Sequence, residues 1–418
     1  MGFLPFALEP FHLYVAIISW PEWPDISKGV EYSIIDSIAI AVYLSLPRAP
    51  VSLPFRISLI LYLLAILLSF IPSEVPMASF FYLWQVARMF LVYAAVARAC
   101  ADPRVAPALL QGMAIGLIME AGFALQQRLE GVLQARGAFD SQNFLGMLSH
   151  LVVFPFFALL LAGRRGWLPP AVLAAGLVVE LLTASRATLG LAGMAYATVF
   201  VFSALRQWTS RKALIALVSV AAAAVVLPVG LSSISDRGNA TLESSDSERI
   251  ALIDAATSMI ADHPMGIGAN EYVVAANQKG YNQRSGLAWA SYKALVHNAY
   301  LLVTAETGYF GLITFVAMLL APIPVAFRCA LRCRGDTRGD LMLGLGVGLL
   351  TVYLHSLVEW VFVTFQFQYM FGMELGLVAG LAQQLGYWRN VGLQRARFGT
   401  STFSIRPSGD VGQIPRGY

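Results

Sequence analysis

At 418 residues with a formal net charge of +4, the chain is 58% hydrophobic and only 12% charged, with a mean hydropathy of +0.67. Soluble chains carry about 25% charged residues, so this balance excludes a string of soluble domains, and disordered, collagen-like and disulfide-stapled classes with it. The basic residues are scattered through short loops instead of gathered on one face, which argues against a nucleic-acid partner and makes them a topology signal.

The first residues, MGFLPFALEPFHLY, lack the basic region and small-residue cleavage site of a signal peptide, so no cleavage is expected and the first apolar stretch should stay in the membrane. Apolar runs of roughly 17–25 residues match a hydrocarbon core of about 30 Å. They predict an all-α polytopic membrane protein of about twelve spans, near 4–20, 32–47, 55–71, 77–99, 104–125, 142–163, 167–183, 186–205, 212–231, 297–327, 340–358 and 361–385. Glu9, Pro10 and His12 interrupt the first, which leaves eleven as the alternative count.

With a cytoplasmic N-terminus most arginines fall inside, among them Arg48, Arg98, Arg164, Arg165, Arg206, Arg328, Arg334 and Arg389. The positive-inside rule then puts both termini in the cytoplasm and the segment 232–296 outside. The organisation expected is nine spans within 1–231, an extracytoplasmic helical loop 232–296, three spans within 297–388, and a disordered tail 389–418 rich in Gly, Ser, Pro, Thr and Arg.

Cys100, Cys329 and Cys333 all fall at cytoplasmic span ends, so no disulfide is implied, and the Cys329/Cys333 pair lacks the second pair of ligands a metal site needs. Gly344 and Gly348, and Gly372, Gly376 and Gly380, recur every four residues, the spacing that lets membrane helices approach closely.

In the exported loop, Ser245 followed by Glu248 reads as a capping box opening a helix over 246–262. Ile250, Ile253, Thr257 and Ile260 form its apolar stripe, and His263-Pro264 with Gly266 and Gly268 stop it. A second helix is expected from Glu271 to Lys279, and LAWASYKALVHNAYLL re-enters the membrane at His297. Arg249 falls in the first turn of the predicted helix, where an anion is favoured over a cation. A bound anion answers this, and so does pairing with Asp246 or a nearby glutamate.

Of five histidines, His12 and His263 read as structural, while His150 and His355 are intramembrane candidates. His297 stands out because it sits where the loop meets a span, followed by Asn298, Glu306 and Gly308. An interfacial imidazole, with an unperturbed pKa of about 6.5, reaches both lipid-borne and water-borne groups. Arg186 follows Ser185 in a short outer turn, where it needs either Glu180 or a phosphate as partner. Arg88, Glu120, Glu359 and Glu374 are further charges at membrane depth, expected to pair or to face a cavity and to fix helix packing.

Three segments, TASRATLGL, SSDSERIALIDAATSMIADHPMGIGANEY and VHNAYLLVTAETGYFGL, together resemble the O-antigen ligase family, which includes related polysaccharide polymerases. The likeness runs from about Asn143 to about Leu312, with His355 and Glu359 as a weaker echo. It implies a lipid-carrier-dependent glycosyltransferase that moves a preassembled glycan from undecaprenyl diphosphate to an acceptor hydroxyl. In that likeness His297 takes the essential histidine's place, Arg186 and Arg249 those of the arginines that hold the donor diphosphate, and Asn143 that of a family asparagine. Ser185, Asn298, Glu306, His355 and Glu359 are supporting candidates.

The resemblance further implies a bacterial inner-membrane protein whose site faces the periplasm and whose in-line attack inverts the anomeric centre. Its implied partners are the lipid-linked donor, a lipid A-core or glycan acceptor, membrane lipids and other envelope polysaccharide assembly proteins. No Asp-x-Asp is present, so a metal-using glycosyltransferase is not expected, and the resemblance implies no cofactor. Nothing separates ligase from polymerase. A protein O-oligosaccharyltransferase and a lipid-linked glycan transporter are more distant readings; a carrier should show internal repeats and broken helices at the midplane.

Overall fold

A computed structural model describes residues 1–18, 30–46, 53–235 and 239–388; the predicted tail 389–418 lies outside the described residues. The chain is a helical membrane protein. Its elements are α1 (Leu4–Ala7), β1 (Tyr14–Ile18), β2 (Val30–Ser33), α2 (Ile34–Ser45), α3 (Arg56–Leu68), α4 (Pro76–Ala99), α5 (Val105–Leu129), α6 (Gln142–Leu161), α7 (Leu168–Leu182), α8 (Arg186–Arg206), α9 (Ser210–Ser235), α10 (Asn239–Asp262), α11 (Tyr272–Gln278), α12 (Tyr281–Arg284), α13 (Ala299–Leu320), α14 (Pro322–Arg332), α15 (Thr337–His355) and α16 (Phe365–Gln384). Among the described residues, α4, α5, α6, α8 and the α13–α14 run are long and apolar enough to cross a membrane, while α2, α3 and α7 are apolar but shorter.

Over its described residues, 4–18, the predicted first span 4–20 is not a continuous helix. Pro10 lacks an N–H and pushes Glu9 away from helical backbone, His12 takes a positive φ of 50°, and the chain leaves its single helical turn to form β1. That strand pairs antiparallel with β2, so the fold is nearly but not wholly α-helical. The hairpin leads into α2 through a capping box, in which the Ser33 hydroxyl accepts from the Ile35 N–H and Asp36 accepts from the Ser33 N–H.

The four-residue glycine stripes lie at helix contacts. A Cβ on Gly344 would stand 2.5 Å from Phe154 O on α6, and one on Gly372 2.8 Å from Met89 O on α4. At that separation only glycine fits, and α15 and α16 seat against α6 and α4 by backbone approach.

Helix ends gather in two layers. At one end Arg206 pairs with Asp340 and donates to Cys333 O at 3.0 Å, and Gln384 Nε2 donates to Cys100 O at 2.6 Å. At the other end lie the starts of α6, α8 and α13 and the turn after α15. Arg88 and Glu120 are buried and partnered: Arg88 with Glu31, its guanidinium 4.8 Å from the Tyr369 ring centroid, and Glu120 with the Ala138 N–H at 2.8 Å.

A second apolar cluster covers that end. Leu252, Ala256 and Met259 of α10 pack with Tyr272 and Val273 of α11, Tyr281 of α12, and Val296 and Leu302 at the start of α13. The described helix α10 begins at Asn239, so Ser245 is interior to it and is not its cap. The predicted stripe is also turned: Ile250, Ile253 and Thr257 are exposed and of its members Ile260 alone is buried, whereas Leu252, Ala255, Ala256 and Met259 are buried. Positions 252, 255, 256 and 259 form an equally regular helical stripe of smaller residues, which lets α10 lie closer to its neighbours.

The His263-Pro264-x-Gly-x-Gly segment is a strut. Gly308 interrupts α13 with φ 70° and ψ −175°, a conformation essentially confined to glycine. The kink frees carbonyls at the preceding turn. Ile267 N–H donates to Ala305 O and Gly268 N–H to Glu306 O, both at 3.0 Å, and Tyr309 N–H returns to Pro264 O at 3.3 Å. Glu271, also in this loop, accepts from the Ser73 hydroxyl and from the N–H groups of Glu74 and Val75, tying the loop to the α3–α4 turn while burial raises its carboxyl above the ordinary range.

Candidate functional site

Helix caps deliver the first groups of the site. Ser185, in extended conformation, accepts from the Thr188 N–H and opens α8, which places Arg186 at its first position. Ser141 caps α6 in the same way and sets Asn143 in its first turn. Asn298 caps α13 by accepting from both Tyr300 N–H at 2.9 Å and Leu301 N–H at 3.0 Å, so His297 stands at the mouth of a helix whose start is fixed. The Ala299 N–H adds donations to Ser356 O at 2.9 Å and Glu359 O at 3.1 Å, which pin this corner to the turn after α15.

Glu359 is the hub, with a side chain only 3% exposed. Its Oε1 accepts from Asn143 Nδ2 at 2.6 Å and from Arg249 Nη2 at 3.0 Å, and its Oε2 lies 3.2 Å from His297 Nδ1. A carboxylate ion-paired to Arg249 is an acceptor, so it selects the Nδ1–H tautomer of a neutral imidazole, the form whose Nε2 is an acceptor. The same arrangement, a carboxylate fixing the tautomer and orientation of an imidazole, serves the histidine base of Ser-His-Asp triads.

Arg186, Arg249 and His297 line one pocket of about 140 Å³, together with Gln142, Asn143, Ser185 and Glu248. This is well below the roughly 300–1,000 Å³ of a drug-sized ligand site, so it suits a compact group. Arg186 also reaches Asp246 of α10 at 2.7 Å, an ion pair in which both side chains are about half exposed. The partners differ from those weighed on sequence. Arg249 pairs with Glu359 and not with Asp246 or a glutamate of its own helix. Glu180 is buried against the Tyr196 hydroxyl, 3.4 Å away, and leaves Arg186 to Asp246.

Three sequence candidates, Glu306, His355 and Asn298, are not part of this pocket's lining, whereas Ser185 is. Glu306 accepts from the Tyr272 N–H at 3.2 Å beside the α13 kink. His355 is fully buried against His150, ring centroids 5.4 Å apart, and neither ring nitrogen of either residue has a hydrogen-bond partner among the described residues. Asn298 and Ser185 act through the backbone, as caps. Sequence spacing gave Glu359 no central place, because its partners lie 62, 110 and 216 residues away; the one available signal was a carboxylate at a span end.

No curated protein matches the chain at a significant level. Residues 170–316, which carry Arg186, Arg249 and His297 but not Asn143 or Glu359, match the family model described as O-antigen ligase, and over that stretch the chain is similar to the O-antigen ligase family.

Proposed function

We propose that the protein is an O-antigen ligase-type glycosyltransferase that transfers a preassembled glycan from undecaprenyl diphosphate to an acceptor sugar hydroxyl, with repeat-unit polymerisation as the nearest alternative. The observation that carries this reading is the shared pocket of two arginines and a histidine oriented by Glu359. Breaking the anomeric carbon–oxygen bond leaves negative charge on the diphosphate, which Arg186 and Arg249 stabilise in the role a metal ion fills elsewhere. The acceptor hydroxyl loses its proton to His297 Nε2 as its oxygen attacks the anomeric carbon, a contribution of about 10²–10⁴-fold for a general base. Attack in line with the departing diphosphate inverts the anomeric configuration.

Charge counting puts this end of the molecule in the periplasm and the Arg206/Asp340 end in the cytoplasm of an inner-membrane protein. In this reading the helical segments α2 to α9, α13–α14, α15 and α16 cross the membrane, and α10 to α12 form the periplasmic cover. The partners proposed are the lipid-linked donor, a lipid A-core or glycan acceptor, surrounding lipids and other envelope assembly proteins.

The test is glycan transfer by purified protein in detergent with chelator present, offering lipid A-core and donor repeat units as competing acceptors. Transfer to core supports the ligase and chain extension the polymerase. No transfer to either acceptor by folded protein with its native donor would contradict the enzyme reading.

A further inference from the structure

A second and larger cavity, about 520 Å³, opens at the same end of the helices between α4, α6, α13 and the segment leading into α16. Its lining meets that of the arginine pocket at two places in the chain, where Ser141 precedes Gln142 and Asn143 and where Leu295 stands two residues before His297. A third wall residue, Trp360, directly follows Glu359, the partner of His297 and Arg249. The His297–Glu359 couple therefore stands between two spaces of different chemistry. One is small and cationic. The other lies within the roughly 300–1,000 Å³ of small-molecule sites and is walled largely by apolar side chains, Tyr82, Phe144 and Trp360 among them, with the amides of Gln85, Asn270 and Gln366 and the carboxyls of Asp140 and Glu306 set between.

That second lining fits a sugar better than either an ion or a hydrocarbon tail. A pyranose presents C–H faces, which pack on aromatic rings, and an edge of hydroxyls, each both donor and acceptor, which side-chain amides match on both counts. An alkyl chain gains nothing from three amides and two carboxyls, and it would cover their remaining polar atoms without pairing them. Two of the amides are held by the protein: Asn270 Nδ2 donates to Ala78 O and Gln366 Nε2 to Glu9 Oε1, both at 3.3 Å. Glu9 belongs to the segment expected to be a first span, so the departure of that segment from helix places one of its side chains against this wall.

We infer that this cavity is the acceptor subsite, which seats the terminal sugar of the acceptor glycan beside His297 while the donor diphosphate occupies the arginine pocket. The inference rests on the transfer reading for its meaning but not for its test. The probes are lipid-free core oligosaccharide and a single repeat-unit oligosaccharide, titrated by saturation-transfer NMR onto purified protein in detergent. One of the two should bind the wild type. Binding should weaken about tenfold or more in Trp360→Ala, weaken also in Gln366→Ala, and recover in part in Trp360→Phe, a recovery that a folding defect would not give. Affinity for the lipid-diphosphate donor should stay unchanged in all three.

Absence of saccharide binding to the wild type, or binding indifferent to Trp360→Ala, overturns the subsite, as does an acyl chain seen in the cavity of the donor complex. Saccharide binding that depends on Trp360 in a protein that transfers nothing keeps the subsite and removes the transfer reading. Transfer whose acceptor KM ignores Trp360→Ala does the reverse.

Discussion

Glu359 reaches His297 across 62 residues of sequence, its Oε2 3.2 Å from Nδ1, and the same carboxylate holds Arg249 and Asn143 through its other oxygen. One buried anion thus ties the turn after α15 to α6, α10 and the start of α13. The imidazole's orientation and the position of Arg249 rest on a single side chain.

Glu359→Gln keeps the shape of that side chain and removes its charge. Without a carboxylate at Oε2, nothing selects the Nδ1–H tautomer of His297, and Arg249 loses its counter-ion. Transfer should fall by about 10²-fold or more, while the amount of folded protein in detergent changes little. Glu359→Ala should in addition unfold at lower temperature, because Arg249 is left partly buried and unpaired. A single-turnover assay beside a thermal-melt series separates the two effects; wild-type turnover in Glu359→Gln would refute the orienting role.

Arg186 and Asp246 form a half-exposed pair, and exposed pairs contribute only about 0.2–1 kcal/mol. Asp246→Ala should leave stability nearly unchanged and should not weaken donor binding. Arg186→Ala should weaken it, and Arg186→Lys should restore it only in part, since an ammonium cannot offer a phosphate two parallel N–H groups. Donor titration with the lipid diphosphate checks both; equal loss in Asp246→Ala and Arg186→Ala would mean that the pair is needed as a unit.

Gly308 is predicted to be costly to change. Its φ of 70° with ψ −175° is strained for any other residue, by about 1–3 kcal/mol, and a Cβ there would meet the Met265 backbone at 2.6–2.8 Å. Gly308→Ala should lower the thermal midpoint and loosen the His263–Gly268 strut, which proteolysis of the loop would report. Gly190→Ala, which meets nothing within 4 Å, is the control and should be silent.

Asn298 is predicted to act as a cap and not as a ligand. Asn298→Ala should cost about 0.5–2 kcal/mol and reduce transfer by misplacing His297. Asn298→Asp or Asn298→Ser should recover both, because either side chain accepts from the same N–H groups. Melting temperature and turnover measured on the three variants test this. Loss of transfer in the capping-competent variants would point to direct contact with substrate.

The elements of the fold were legible wherever long apolar runs were cut by turns: α4 to α8 begin and end within a few residues of the runs read from sequence. The first segment was not, because hydropathy counts Leu, Phe and Ile alike in a helix and in the irregular stretch around Glu9-Pro10. The face of α10 was misread for a related reason. Ile250 and Ile253 outweigh Ala255 and Ala256 on any hydrophobicity scale, yet the close approach of α10 to its neighbours selects the smaller residues. At the site, the resemblance and the span-end positions marked Arg186, Arg249 and His297, and the structure brings all three to one pocket. Their partners were not legible, since the contacts of Glu359 and Asp246 join residues 60 or more positions apart, and no local spacing encodes such a pair.

The most direct test of the account is a single-turnover comparison of wild type and His297→Ala, with donor binding measured on the same samples. The account predicts that His297→Ala binds the lipid-diphosphate donor as tightly as wild type, because the arginine pocket is intact, and loses transfer by about 10²–10⁴-fold. Transfer that survives in His297→Ala at the wild-type rate would contradict the role given to the His297–Glu359 couple.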